Sequence, residues 1–419
     1  MAKSVTAGNS LRRLFAVMLF DHISVNITFP VLTFVFFSPL SRLFPSDTSI
    51  SERMLWYGIV MGISHIGSII SSPIISTCSD HVGRKKMLLV AACAALVFAV
   101  SCTLGILIGS LLLMVVGKFL GGMLSRTNAV AQAIIGDISD PQNKAIHMGY
   151  LQVVISIGAF IGPIIGGYFA DRFWFSTLNY ALPYMIAGMF AVLAILLTIV
   201  VFKETLVTRK KVKESLSSWL INLSNKQILK ISLLLCMTQL GWSTYYQYMP
   251  PLLKTTFHFQ AHLLGLFIGM IALWLAIASA VGVRFLKCYF TLEKIAFIAI
   301  ILMLLGALLT LAAIWLLNTV FAKILIWLGA IPMAMGDVIV YSVITAWYSN
   351  AVAKQDQGSI MGLCFIIVPV IWALTGFLGG VIAIWQIDLP LYFSALILLG
   401  LVCYLVAQKV AKSLLIVKQ

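Results

Sequence analysis

The sequence predicts an all-α membrane protein of twelve transmembrane helices in two six-helix bundles. Three observations lead there. Hydrophobic residues fill 61% of the 419 positions and charged residues only 10%, an apolar excess that no soluble domain of this size requires. Apolar runs of about 20 residues, the length that crosses a bilayer, recur twelve times. The runs also divide six and six around one long basic loop. Domain boundaries follow as 1–202 for the first bundle, 203–227 for a cytoplasmic linker and 228–419 for the second bundle.

The first six spans fall near 14–36, 55–77, 87–108, 111–135, 147–170 and 181–202. The second six fall near 228–249, 263–285, 294–316, 322–348, 358–383 and 390–408. Span 1 follows Arg12 and Arg13 without a small-residue cleavage site, so it reads as a membrane helix and not as a removed signal. With both termini inside, 21 of the 28 Lys and Arg residues lie on the cytoplasmic side and 5 outside, while Lys118 and Arg126 fall within span 4. That asymmetry sets the orientation. It also accounts for the net charge of +15 without nucleic acid, because the bases are scattered over short loops. The linker bases Arg209, Lys210, Lys211 and Lys213 sit where anionic lipid headgroups would meet them.

Charges inside the spans are the first candidates for function. Asp21, Lys118, Arg126 and Asp337 each cost a few kcal/mol or more if they face lipid, so each is expected to face a cavity or a partner. Helical spacing supports inward faces. Asp21, Ser24 and Thr28 share one stripe of span 1. Lys118, Gly122, Ser125 or Arg126, Ala129 and Gln132 share one of span 4. Asp337, Tyr341, Thr345 and Tyr348 share one of span 10. Span 7 adds Gln239, Trp242, Tyr245, Tyr246 and Gln247, an aromatic surface suited to a planar substrate. At about 1.5 Å rise per residue, Asp21 and Arg126 lie at one depth from the cytoplasmic ends of their helices.

Asp21 is the expected proton carrier, paired with Arg126 or Lys118, and Asp337 is a second proton-coupling candidate. The expected substrate cavity comprises Asp21, Lys118, Arg126, Gln132, Gln239, Trp242, Tyr246, Asp337 and Tyr341. Two cavity bases suit an anionic or zwitterionic compound better than a lipophilic cation. His22 and His65 also lie in spans and are expected to bond between helices.

Two motifs concern movement. Between spans 2 and 3, Asp80, Gly83 and Arg84 form a tight turn. There Asp80 accepts from the start of span 3 or from a base, and Arg84 reaches Asp137 at the end of span 4. Such a cluster is expected to act as a conformational latch. In span 5, Gly158, Gly162, Gly166 and Gly167 leave a bare stripe, and Pro163 marks a bend. Gln142, Met148-Gly149 and Gly166-Gly167 recur 213 residues later as Gln355, Met361-Gly362 and Gly379-Gly380. Six-span repeats of this kind belong to secondary transporters. Gly162-Pro163 is not repeated and meets Thr375-Gly376, so the halves are unequal.

Asp80-x-x-Gly83-Arg84-Lys85 resembles the loop 2–3 signature of the major facilitator superfamily. Gly158-x-x-x-Gly162-Pro163-x-x-Gly166-Gly167 is similar to the span-5 motif of that superfamily's drug:proton antiporters. Phe20-Asp21 ahead of Pro30-Val31-Leu32, then Ile135-Gly136-Asp137-Ile138, Phe257-His258-Phe259 and Gln357-Gly358, resemble tetracycline-type efflux pumps. The chain departs from the pattern at Ser76, where the family has glycine, and at Lys118, where span 4 usually carries arginine. The second-half loop motif is reduced to Glu293-Lys294.

The resemblance implies the major facilitator fold and proton-coupled export of a small organic molecule across the cytoplasmic membrane. The expected chain is a monomer that needs no cofactor and no metal. Uptake of an anionic or zwitterionic nutrient, such as a siderophore or organic acid, is the alternative. A non-transporting receptor with the same fold is the second. Neither catalytic carboxylate pairs, metal-ligand spacing nor a nucleophile elbow supports an enzyme.

Overall fold

The computed structural model describes residues 2–124, 127–140, 142–171, 178, 180–200, 202, 204, 225–352 and 357–416, and every extended element among them is helical. The chain divides into two compact units. The first comprises Met1–Leu216 with Leu253–Leu273, and the second Ser217–Leu252 with Trp274–Gln419.

The first unit contains α1 (Ala2–Phe37), α2 (Ile50–Val82), α3 (Arg84–Ile108), α4 (Leu111–Leu124), α5 (Thr127–Ile138), α6 (Lys144–Asp171) and α7 (Ala181–Val200). α4 and α5 are the two described pieces of span 4. Lipid is as apolar as leucine, so burial of apolar side chains gives helices little reason to associate, and close backbone approach with polar cross-links takes over. Both devices are present. On α2 and α4, Gly67 and Gly122 face the backbones of Phe119 and Ser64, and Ser68 donates to the Gly122 carbonyl at 2.9 Å. Ser24 of α1 donates to the Ala187 carbonyl of α7 at 2.7 Å. Leu14, Met18, Leu88, Ile134 and Phe202 bury one shared apolar cluster. The α1–α2 turn is stapled by Arg53, which donates to the carbonyls of Phe36, Pro45 and Thr48.

α8 (Lys226–Thr255) runs from the second unit into the first, and α9 (Ala261–Ile277) follows it. Between them His258 adopts a positive φ of 53° while Phe257 and Phe259 are buried on either side. A π-helical turn, Ala278–Gly282, leads into the short α10 (Val283–Lys287).

The second unit continues with α11 (Leu292–Trp315), α12 (Val320–Asn350), α13 (Gln357–Ala383) and α14 (Leu389–Ile416). α11 and α12 meet along small residues: Gly306 faces Gly329, and Gly336 faces Ala299. Ser394 of α14 donates to the Gly241 carbonyl of α8 at 2.7 Å.

Among the described residues, ten helices are long and apolar enough to cross a membrane. Two of the twelve expected spans remain. Span 4 is described as pieces of 14 and 12 residues. Span 7 is α8, whose 30 residues carry too many polar groups. Its Thr238, Gln239, Ser243, Thr244 and Gln247 are all buried against protein, where lipid-like apolarity is not needed. The twelve-helix fold therefore stands.

Candidate functional site

In the first unit, Asp21 lies within α1 at 4% exposure, and its Oδ2 accepts from Thr127 Oγ1 of α5 at 2.8 Å. One residue on, His22 Nε2 is 2.7 Å from Asn128 Oδ1. These bonds tie α1 to α5 side by side, and His22 does bridge helices. Arg126, the expected partner of Asp21, lies outside the described residues, directly before Thr127. Lys118 sits on α4 with its Nζ 4.9 Å from the Phe98 ring centroid of α3, a cation–π contact. Gln132 is exposed on α5.

The glycine stripe of α6 packs on α1. A Cβ at Gly158 would stand 2.6 Å from His22 Cβ, and one at Gly162 would stand 2.7 Å from Asn26 Cβ. At Gly166 it would strike the Ile27 carbonyl. The helix continues through Pro163 to Asp171. Gly167 turns to a different neighbour, facing Ala261 and Gly265 of α9, and the Pro163 carbonyl lies against Gly265. Thus α6 is seated between α1, which carries Asp21, and α9. Its end is pinned as well: Asp171 accepts from the Ala261 and His262 backbone N–H groups, each at 2.8 Å, and pairs with the His262 ring. A carboxylate at the first turn of α9 satisfies donors that have no partner inside the helix.

The loop between α2 and α3 forms a second cluster. Arg84 Nε donates to Asp137 Oδ2 at 2.9 Å, joining α3 to α5. The Asp80 side chain lies outside the described residues. The start of α3 is capped by Glu204, whose carboxylate accepts from the backbone N–H groups of Arg84 at 3.0 Å and Lys85 at 3.2 Å. Lys85 Nζ donates to the Ile199 carbonyl at the end of α7. Gly83 has φ +113°, and a Cβ there would meet Glu204 Oε2 at 2.5 Å, so glycine serves both the turn and the cap. The cap escaped sequence reading because Glu204 sits 120 residues from Arg84, among linker bases that look like a topology signal.

Glu204→Ala is expected to lower unfolding free energy by about 1 kcal/mol, the usual worth of a helix cap. Arg84→Ala is expected to cost about 1 kcal/mol, since the pair is partly open to solvent. Thermal unfolding in detergent checks both. Unchanged midpoints would show that the loop owes nothing to these contacts.

In the second unit, Asp337 of α12 is 8% exposed, and its Oδ1 accepts from Gln239 Nε2 of α8 at 2.9 Å. Gln239 Oε1 accepts in turn from the Trp372 indole N–H of α13 at 3.1 Å. The Tyr246 and Trp372 rings are 5.8 Å apart, and the Trp242 and Tyr246 rings 5.4 Å. Tyr341, one turn along α12 from Asp337, is half-buried. Trp372 was missed by sequence reading, as was the seam that holds it. Ser243 meets Thr375 at 2.9 Å, and Gln247 donates to Thr375 at 2.9 Å. The four-residue spacing of Gln239, Ser243 and Gln247 was the available signal.

Among the described residues no group of His, Cys, Asp and Glu is arranged to hold a metal.

Residues 14–376 match the Major Facilitator Superfamily. The class H tetracycline resistance protein of Pasteurella multocida is 26% identical over 193 residues, 45% of this chain and 43% of that protein. The aligned stretch therefore spans less than half of that relative. Multidrug resistance protein 1 of Bacillus subtilis (strain 168) is 23% identical over 384 residues, 89% of this chain and 94% of that protein. The human organic anion transporter MFSD10 (TETRAN) superposes with a TM-score of 0.66 at 15% identity, covering 94% of this chain and 98% of that one; at that identity the likeness shows the fold. The resemblance carried by the loop 2–3 and span-5 motifs thus holds, and the chain belongs to the Major Facilitator Superfamily of membrane transporters.

Proposed function

We propose that the chain exports a small organic molecule from the cytoplasm in exchange for protons, by alternating access. It does so as a multi-pass protein of the cytoplasmic membrane with both termini inside, acting as a monomer. The observation that carries this reading is Asp21, a buried carboxylate in a membrane helix, bonded to Thr127 and flanked by the α6 glycine seam. An ionisable group in such a place is costly, and proton relays are among the few roles that repay it. Asp337 is the second proton-coupling group, and Asp21, Lys118, Arg126, Gln132, Gln239, Trp242, Tyr246, Asp337 and Tyr341 are the proposed substrate contacts. The ring cluster of Trp242, Tyr246 and Trp372 favours a planar substrate. The α6 seam favours export, as does the chain's similarity to relatives named for tetracycline and multidrug resistance.

The test is a transport screen in proteoliposomes with an acid interior and the cytoplasmic face outward. Tetracycline and a quinolone are the first compounds, since relatives are named for resistance to each. Accumulation of a compound as the lumen turns alkaline is expected. Movement of compound and protons in one direction would overturn export and favour uptake.

A further inference from the structure

We propose that Gln239 is a positioning residue that relays the charge state of Asp337 to the indole of Trp372, and so to the aromatic wall that Trp372 shares with Tyr246 and Trp242. The inference rests on the reading above only in taking Asp337 as a group that exchanges protons with solvent.

The chemistry of the three groups dictates how the amide points. An indole N–H donates and cannot accept, so Gln239 must present its oxygen to Trp372, at 3.1 Å. That leaves the amide nitrogen for Asp337, at 2.9 Å. Every donor in the row therefore points toward the carboxylate, from indole to amide to Asp337. A row aligned this way suits an ionised acceptor, and each bond polarises the next. Bonds to an ionised acceptor are roughly twice as strong as neutral ones, so the row is held most firmly when Asp337 carries its charge.

Protonation of Asp337 removes that advantage and adds a donor where there was none. The new O–H needs an acceptor, and the acceptor within this row is the Gln239 oxygen. If the amide turns to meet it, its NH₂ faces the indole N–H, donor against donor, and Trp372 has to leave its position. The Trp372 ring is 5.8 Å from Tyr246, which is 5.4 Å from Trp242, so a turn of Trp372 repacks the wall. The proton comes from solvent and returns to it, with no other reactant required.

The surroundings leave Asp337 as the group that drives the row. Adjacent Gly336 faces Ala299 and Met303 of α11, and Ile339 faces Gly282 of the π turn, none of which titrates. Among the described residues, the titratable group that interacts with Asp337 is Tyr341 on α12, which in turn interacts with Cys364 of α13. Among the described residues Asp337 enters no ion pair.

The relay is read without substrate. Tryptophan fluorescence of the purified chain in detergent is recorded against pH, and the Trp372 component is taken as the difference from Trp372→Phe. A single titration of that component is expected. It should be lost in Asp337→Asn and in Gln239→Met, which keeps the unbranched volume without the bonds, and retained in Asp21→Asn. A flat Trp372 component in the unaltered chain would overturn the relay, as would an undiminished titration in Gln239→Met. Should Gln239→Met unfold, judged by circular dichroism, Asp337→Asn decides alone, and a titration persisting there overturns the proposal. A chain that titrates but moves nothing against protons keeps the relay and loses the transport reading; transport with a flat signal does the reverse.

Discussion

Gly162→Leu is expected to abolish transport while the protein remains folded in the membrane. The cause is contact distance. Even a Cβ at position 162 stands 2.7 Å from Asn26 Cβ and 3.0 Å from the Ile23 carbonyl, and leucine adds three more carbons to that space. α6 must move off α1, and the same displacement loosens Gly167 from Ala261 and Gly265 of α9. Overpacking of a tight interface usually costs about 1–3 kcal/mol, which a bundle held by several other seams can absorb. The transport cycle is more sensitive, because α6 joins the helix bearing Asp21 to α9. Gly162→Ala should give an intermediate loss. Gly149→Ala on the same helix, where nothing lies within 4 Å of the added carbon, should transport normally. Flux per molecule in proteoliposomes, with membrane protein quantified, checks the series. Full activity in Gly162→Leu would reduce the seam to ordinary packing.

Asp21→Asn is expected to abolish proton-driven transport and to spare substrate exchange across the membrane. Asparagine has nearly the same shape, and its side-chain oxygen can still accept from Thr127, the bond that Asp21 accepts at 2.8 Å. Fold and helix pairing are thus retained while the titratable group is lost. Flux driven by a pH gradient should fall to that of empty liposomes, while counterflow of labelled against unlabelled substrate continues. Undiminished gradient-driven flux would remove Asp21 from the proton path. Loss of counterflow as well would mean that substrate binding needs the charge of Asp21 and not only its shape.

These experiments lean on features that differ in how openly the sequence displays them. Helix identity was plain wherever a helix meets lipid, because apolarity over 20 or so residues is a local property. α8 also showed as an apolar run, although its polar face, buried on protein, lowers its hydropathy. The glycine stripe was legible as a packing surface because its period matches a helix face, but its partner was not. Gly158, Gly162 and Gly166 lie on α1, and Gly167 is turned to α9. Arg84 and Asp137 were paired correctly, each being a charge at the end of its helix with few other choices. Long-range partners without such a constraint stayed hidden: Glu204 capping α3, Thr127 on Asp21, and Trp372 on Gln239. A side chain's partner depends on which helices fold together, and local spacing carries no record of that.

The export account meets its most direct test in proton movement driven by substrate alone. A transported compound is allowed to run down its own gradient in proteoliposomes, with equal pH on both sides and a pH-sensitive dye in the lumen. The account predicts that protons move uphill against the compound's direction, and that Asp21→Asn removes this movement. Protons travelling with the compound, or a lumen pH that never changes while the compound flows, would contradict it.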